Sequence, residues 1–207
     1  MSVDQQALYD ARLELVDFLV DALYDVPDPE FVGRLLDGGL ETPEAAVEDD
    51  LDRGFEYLRE FVAEREGEDP DDVADDLNVE YTRLFVGPRP PVQPHETYFR
   101  EDTDFLSTGL AEVEASYGAA GWSKPQSVSE EADFAGVELL FLRDLVDRQR
   151  RGEEAAVGYE RVFLDEHLGE WVEDFRDAVR EETDEPFYLA AAHVFAGLVA
   201  FERDLVA

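Results

Sequence analysis

The chain has 207 residues, 44% of them hydrophobic, which is enough for one substantial core and too apolar for a disordered chain. Asp and Glu number 53 against 17 Lys and Arg, a formal charge of -36, so no basic stripe exists to neutralise nucleic-acid phosphates. No cysteine is present, which removes disulfides, thiolate catalysis, iron–sulfur clusters and cysteine zinc sites together.

Lys124 is the single lysine. An acidic surface so poor in lysine is the composition expected of a halophilic protein in a cytoplasm at molar salt. The N-terminal residues MSVDQQALYD lack a basic region followed by an apolar core, so no signal peptide is expected. No apolar run approaches the ~20 residues of a membrane span, so a cytoplasmic protein without stable membrane insertion is expected.

Residues 2–24 predict an amphipathic helix through Leu8, Leu13, Leu15, Phe18, Leu19 and Leu23, ended by Val26-Pro27. Residues 31–36 predict a short helix stopped by Gly38-Gly39. Thr42-Pro43-Glu44 has the form of a helix start, and the apolar face of Leu51, Phe55, Leu58, Phe61 and Val62 carries that helix to about Glu66. Asp69-Pro70 opens the next helix, which runs to Phe85. There Tyr81, Leu84 and Phe85 share one face, and Gly87 is expected in a left-handed cap before Pro88. Residues 89–94 hold Pro90, Pro91 and Pro94, so this connector is stiff and extended.

A helix is expected over 105–115, with Leu106, Leu110 and Val113 inward. The sequence YGAAGWSKP at 117–125 is the clearest break, dividing the chain into an N-terminal helical lobe 1–116, a join 117–126 and a C-terminal lobe 127–207. A flexible join there predicts a monomer with a minor domain-swapped dimer. Ser127 and Glu130 have capping-box spacing for a helix to about Arg150. A long helix over 153–180 and a last helix opened by Glu185-Pro186 complete an all-α bundle of about eight helices.

The chemistry-bearing residues are few. His95, His167 and His193 have no metal-ligand spacing, and neither a phosphate loop nor a nucleophile elbow occurs. No catalytic residue, metal or cofactor is therefore expected, and the chain is not read as an enzyme. His167 has the sequence context of a surface or half-buried structural residue, and His193 that of a satisfied core residue. Glu138 shares an apolar face with Phe134, Phe141 and Leu145. Two readings stand for it: a polar anchor in an interior cleft, or a buried ion pair, with Arg83 as a candidate partner. Asp133 lies one turn earlier, where a solvated residue near a helix start is the plain alternative to a functional one.

Three segments together resemble a known family. The run 80–88, EYTRLFVGP, leads through prolines to Glu96-Thr97-Tyr98 and is similar to E-x-x-x-L-F-x-G-P…P-x-E-S-x-Y. Glu131, Asp133 and Glu138-Leu139 lie where an E-x-P-D-H…E-L motif would be, with Ala132 for its proline and Phe134 for its histidine. Phe163, Leu164, His167, Leu168 and Trp171 resemble F-L-x-x-H-L-x-x-W. These are motifs of the TorD/DmsD family of cytoplasmic redox-enzyme maturation chaperones.

The resemblance implies a two-lobed all-α chaperone. It would bind the twin-arginine signal peptide and apo form of a dimethyl-sulfoxide-reductase-type molybdoenzyme, aiding cofactor insertion and preventing premature export. A NarJ-like chaperone for a nitrate-reductase-type subunit, without strict twin-arginine export, is the alternative. The implied groove lies between the helix ending at Phe85 and the helix starting near Ser127. Its expected peptide-binding residues are Tyr81, Leu84, Phe85, Gly87, Pro88, Pro94, Glu96 and Tyr98 from the first motif. Asp133, Phe134 and Glu138 come from the second, with Asp133 meeting the peptide arginines.

Overall fold

The computed structural model describes residues 3–40, 42, 46–100 and 108–207, and among these the fold is all-α. The most apolar helix is α10 (Pro186–Val206), whose stretch from Phe187 to Val199 is buried on every face. A helix apolar all round belongs at the centre, and α10 packs there against α1 (Val3–Leu23), α3 (Asp49–Glu64), α8 (Ala155–Phe163) and α9 (Gly169–Glu182). Where α10 crosses α3, Gly197 lies so close to the Leu51 backbone that a β-carbon would have no room.

Around this centre, α2 (Pro29–Leu36) packs on α4 (Pro70–Tyr81), and α1 packs on α7 (Ala135–Arg150). Two shorter helices, α5 (Glu96–Phe99) and α6 (Thr108–Ala119), lie against the α8–α9 face.

Local chemistry sets the helix starts. Asp28 accepts the Phe31 N–H at 2.8 Å ahead of Pro29, and Asp69 accepts the Asp71 N–H at 3.0 Å ahead of Pro70. α3 begins later than its sequence suggests. Residues 46–48 are non-helical and Glu48 is the cap, accepting the Leu51 N–H at 2.9 Å. Pro43 and Glu44 of the expected start lie outside the described residues, as do Phe105 and Leu106 of the helix expected over 105–115.

α7 also begins later, at Ala135 rather than near Ser127. Glu96 N–H donates to Asp133 O at 2.9 Å and Ala135 N–H to Pro94 O at 2.8 Å, an antiparallel bridge between His95 and Phe134. That bridge holds Phe134 extended, so the helix can wind only after it.

Two segments that carry sequence motifs are π-helical. Residues Thr82–Val86 extend α4 with a widened turn closed by Gly87 N–H to Thr82 O at 2.9 Å. Gly87 itself is extended, at φ -53° and ψ 167°, not left-handed. Residues Leu164–Leu168 form a second such turn, which joins α8 to α9 within the single long helix expected there. The glycine-rich stretch after α6 is held by aromatic packing. Tyr117 donates to Ala132 O at 2.6 Å and stands edge-on to Trp122 at 4.7 Å.

Two polar clusters, one buried and one part-buried, tie the helices together. Arg12 on α1 donates to Glu202 and Glu160, each at 2.8 Å, and to Gln149 at 3.3 Å, joining α1, α7, α8 and α10. His193 on α10 shares Asp50 of α3 with Arg176 of α9. His193 Nε2 is buried without a hydrogen-bonding partner among the described residues, so this histidine is only half satisfied.

Candidate functional site

A groove of about 680 Å³ opens between the end of α1, the π turn after α4, the proline connector and the approach to α7. Its aromatic side comprises Tyr24, Tyr81, Phe85 and Phe134, and Pro90, Pro94 and Val86 add apolar surface. Gln93, His95, Ser127 and Ser129 supply polar groups, and Asp25 and Glu130 are its charged members.

Backbone proximity makes the groove's inner edge. A β-carbon on Gly136 would lie 2.7 Å from Tyr24 Cδ2 and 2.8 Å from Tyr24 Cα, so only glycine lets α7 approach the end of α1 this closely. The Tyr24 and Phe134 rings then meet edge-on at 6.1 Å. Tyr81 donates to Leu23 O at 3.2 Å, joining the end of α1 to the end of α4. Burial raises the Tyr81 hydroxyl pKa well above its ordinary value, and the charges of Asp25 and Glu130 add to the shift. The Tyr24 hydroxyl is raised by burial and then by the same two carboxylates.

The expected site residues divide into three groups. Tyr81, Phe85, Pro94 and Phe134 line the groove. Leu84, Glu96, Asp133 and Glu138 are buried beneath or beside it. Leu84 turns into the core instead of forming the groove wall, because the π turn rotates it inward of Phe85. Gly87, Pro88 and Tyr98 lie outside the lining, with Pro88 and Tyr98 exposed. Phe85 is itself largely buried, packed against Tyr81, Tyr188 and Phe175 with ring centroids 5.2, 5.8 and 6.2 Å away.

The buried acids form a supporting network. Asp133 is 2% exposed, not solvated. It accepts from the Thr97 hydroxyl at 2.5 Å, and its other oxygen lies 3.2 Å from His95 Nδ1. Burial alone would raise its pKa, but the bonds from His95 and Thr97 outweigh burial and hold it below the ordinary carboxylate value. An ionised carboxylate only accepts, so His95 Nδ1 carries the proton.

Glu138 is fully buried, and its Oε2 receives the Trp171 indole N–H at 3.3 Å. Burial, then the charges of Glu96 and Asp133, push it well above the ordinary value and so favour its neutral form. Arg83, the candidate partner of Glu138, instead pairs with Glu80 at 2.7 Å and donates to Glu182 O at 2.5 Å.

Glu96 anchors the third motif. His167 is 2% exposed, not a surface residue, and its Nδ1 lies 3.1 Å from each Glu96 oxygen. His167 Nε2 accepts from Ser116 at 2.8 Å. Arg100 donates to Glu96 at 2.6 Å and to the π-turn carbonyl of Glu166 at 3.2 Å. The sequence Ser116–His167–Glu96 has the connectivity of a hydrolase triad. Ser116 lies inside α6, however, where the nearby N–H groups are engaged in the helix, so among the described residues no backbone oxyanion cradle accompanies it. The arrangement fixes orientation rather than activating a nucleophile.

Sequence reasoning missed Tyr24, Val86, Asp25 and Glu130 in the groove. Val26-Pro27 marked the end of α1, but nothing local said that this end faces the proline connector. Asp25 was indistinguishable from the other acids of the chain, and Glu130 stood out only as the capping-box partner of Ser127. No curated protein matches this sequence. Residues 45–177, more than half of the chain, match the family described as nitrate reductase delta subunit. A match over more than half of its length places the chain in the nitrate reductase delta subunit family of redox-enzyme maturation chaperones, as an assembly factor rather than an enzyme.

Proposed function

We propose that the groove between the π turn after α4 and the approach to α7 holds the N-terminal leader of a molybdoenzyme catalytic subunit. On this reading the leader is a twin-arginine signal peptide of a dimethyl-sulfoxide-reductase-type enzyme. The protein retains the client in the cytoplasm until its cofactor is inserted. The observation that carries this is the placement of Tyr81, Phe85, Pro94 and Phe134 around one concave, partly apolar groove. Apolar segments of a partner dock in such grooves by burying alternate faces. If the cytoplasm is at molar salt, as the composition suggests, distant charges are screened and direct contacts and apolar burial decide affinity.

A second reading gives the groove to a nitrate-reductase-type subunit without strict twin-arginine export, and the family's description supports a client of the nitrate-reductase type. Calorimetry on the full chain against two peptide sets separates them: twin-arginine leaders of molybdoenzymes, and N-terminal segments of nitrate-reductase-type subunits without the arginine pair. Binding of the first set supports export control, and binding of the second alone supports assembly without export. Binding of neither overturns the groove as the client site.

A further inference from the structure

We infer that Asp25 and Glu130, at the mouth of the groove, receive the cationic side chains of the client segment while the aromatic side takes its apolar residues. This rests on the groove being the client site. The occupant it specifies is a polypeptide segment with adjacent guanidinium groups followed by an apolar stretch.

Charge complementarity is the first ground. The groove lining contains no arginine or lysine among the described residues, and its carboxylates are Asp25 and Glu130. Elsewhere in the chain arginines hold acids closely, as Arg12, Arg100 and Arg176 do. Neither groove acid is held in this way among the described residues. Asp25 accepts its neighbour's backbone, Val26 N–H, at 2.7 Å, and Glu130 accepts the Ser129 hydroxyl at 3.3 Å. The Lys124 ammonium is bonded to the Glu130 backbone carbonyl, not to its carboxylate. His95, the remaining titratable group on the lining besides the tyrosines, directs Nδ1 to Asp133.

Backbone dipoles act in the same direction. α1 ends at Leu23 and the π turn ends at Val86, so two helix C-termini, with their partial negative charge, lie beside the same groove. Both carboxylates also act on the Tyr24 and Tyr81 hydroxyls, so their field reaches across the aromatic side.

Asp133 cannot take this role in the described conformation. It is 2% exposed, and both its oxygens are engaged by Thr97 and His95. A guanidinium would have to displace bonds that hold the groove's own wall.

The test is calorimetry on the full chain with two synthetic peptides that share one apolar stretch. One carries an Arg-Arg pair before it, the other Gln-Gln. The proteins are the parent, Asp25→Asn, Glu130→Gln and the double variant, each checked for parental helicity by circular dichroism. Each substitution is expected to weaken the Arg-Arg peptide about threefold to tenfold, as loss of a charge-assisted contact does, and to leave the Gln-Gln peptide unchanged. If the Arg-Arg peptide binds and the substitutions leave both peptides alike, the receptor assignment is overturned while the groove remains. If neither peptide binds the parent, the groove reading and this inference are both overturned.

Discussion

His167 Nδ1 lies 3.1 Å from both oxygens of Glu96, across 71 residues of sequence, and so locks the start of α5 to the π turn between α8 and α9. The pair is buried, and the Arg100 guanidinium donates to the same carboxylate at 2.6 Å. Glu96→Ala would leave Arg100 and His167 without that acceptor in a dry site. Removing one member of such a cluster costs ~3–5 kcal/mol. Urea unfolding measures it, and a loss below ~1 kcal/mol would mean that Arg100 finds solvent and the cluster is dispensable.

The sequence motifs turn out to describe the support of the groove more than its surface. Glu96, Asp133, Glu138, His167 and Trp171 stand out in the sequence as polar or aromatic groups at fixed spacings, and they pair in buried contacts, Glu96 with His167, Asp133 with Thr97 and Glu138 with Trp171. Helix existence was equally legible, since Pro and Asp caps and apolar periodicity act locally. The π turns were not, because an extra residue per turn leaves no compositional trace. Nor was the late start of α7, which depends on pairing between residues 94–96 and 133–135. Asp25 was hidden among 53 acidic residues and Glu130 was read as a helix-capping residue, and only tertiary placement puts both on the groove.

Stability should fall as pH rises from about 4.5 to about 8. Burial pushes Glu160 up to about 8, helped by the charge of Glu202, with Arg12 pulling it down. In that window the folded chain keeps a proton that the unfolded chain has released. The stabilisation is complete below the ordinary carboxylate value and is lost as pH rises through the folded one. His193 acts oppositely below its ordinary value near 6.5, because burial lowers it and the unfolded chain holds the proton more tightly. The difference between parent and Glu160→Gln isolates the Glu160 part. The parent should show the steeper fall, by at most ~1.4 kcal/mol per pH unit. Urea melts at pH 5, 6, 7 and 8 measure it. Parallel pH profiles would mean that Arg12 keeps Glu160 ionised throughout.

Phe85 and Val86 separate folding from binding. Phe85 packs against Tyr81, Phe175 and Tyr188, so Phe85→Ala should cost ~3–5 kcal/mol of stability and confound any binding measurement. Val86 is 62% exposed and lines the same groove. Val86→Asp should leave stability within ~0.5 kcal/mol yet weaken an apolar peptide by ~1–2 kcal/mol. Melting temperature and calorimetry are read on both variants. Unchanged affinity in Val86→Asp would place the apolar contact away from the π turn.

Two substitutions that remove a carboxyl from neighbouring buried acids should have unequal effects. Asp133 is held ionised by Thr97 and His95. Asp133→Asn keeps the shape but weakens charge-assisted bonds, for a loss of ~1–3 kcal/mol. Because its folded pKa is depressed, the contribution is present above the ordinary aspartate value and disappears as pH falls through the folded one, so the variant should lose part of the parent's acid sensitivity. Burial, then the charges of Glu96 and Asp133, raise the Glu138 pKa and favour its neutral form. Glu138→Gln replaces one neutral group by another of the same size, and the amide oxygen can still accept the Trp171 N–H, so the change should stay within ~1 kcal/mol. Its raised pKa gives the opposite linkage: the parent loses stability as pH rises above the ordinary glutamate value, and Glu138→Gln should flatten that loss. Urea melts at pH 3.5, 5 and 7 resolve both signs. A large loss in Glu138→Gln beside a neutral Asp133→Asn would reverse the assignment and put the buried charge against Trp171 instead of at the groove wall.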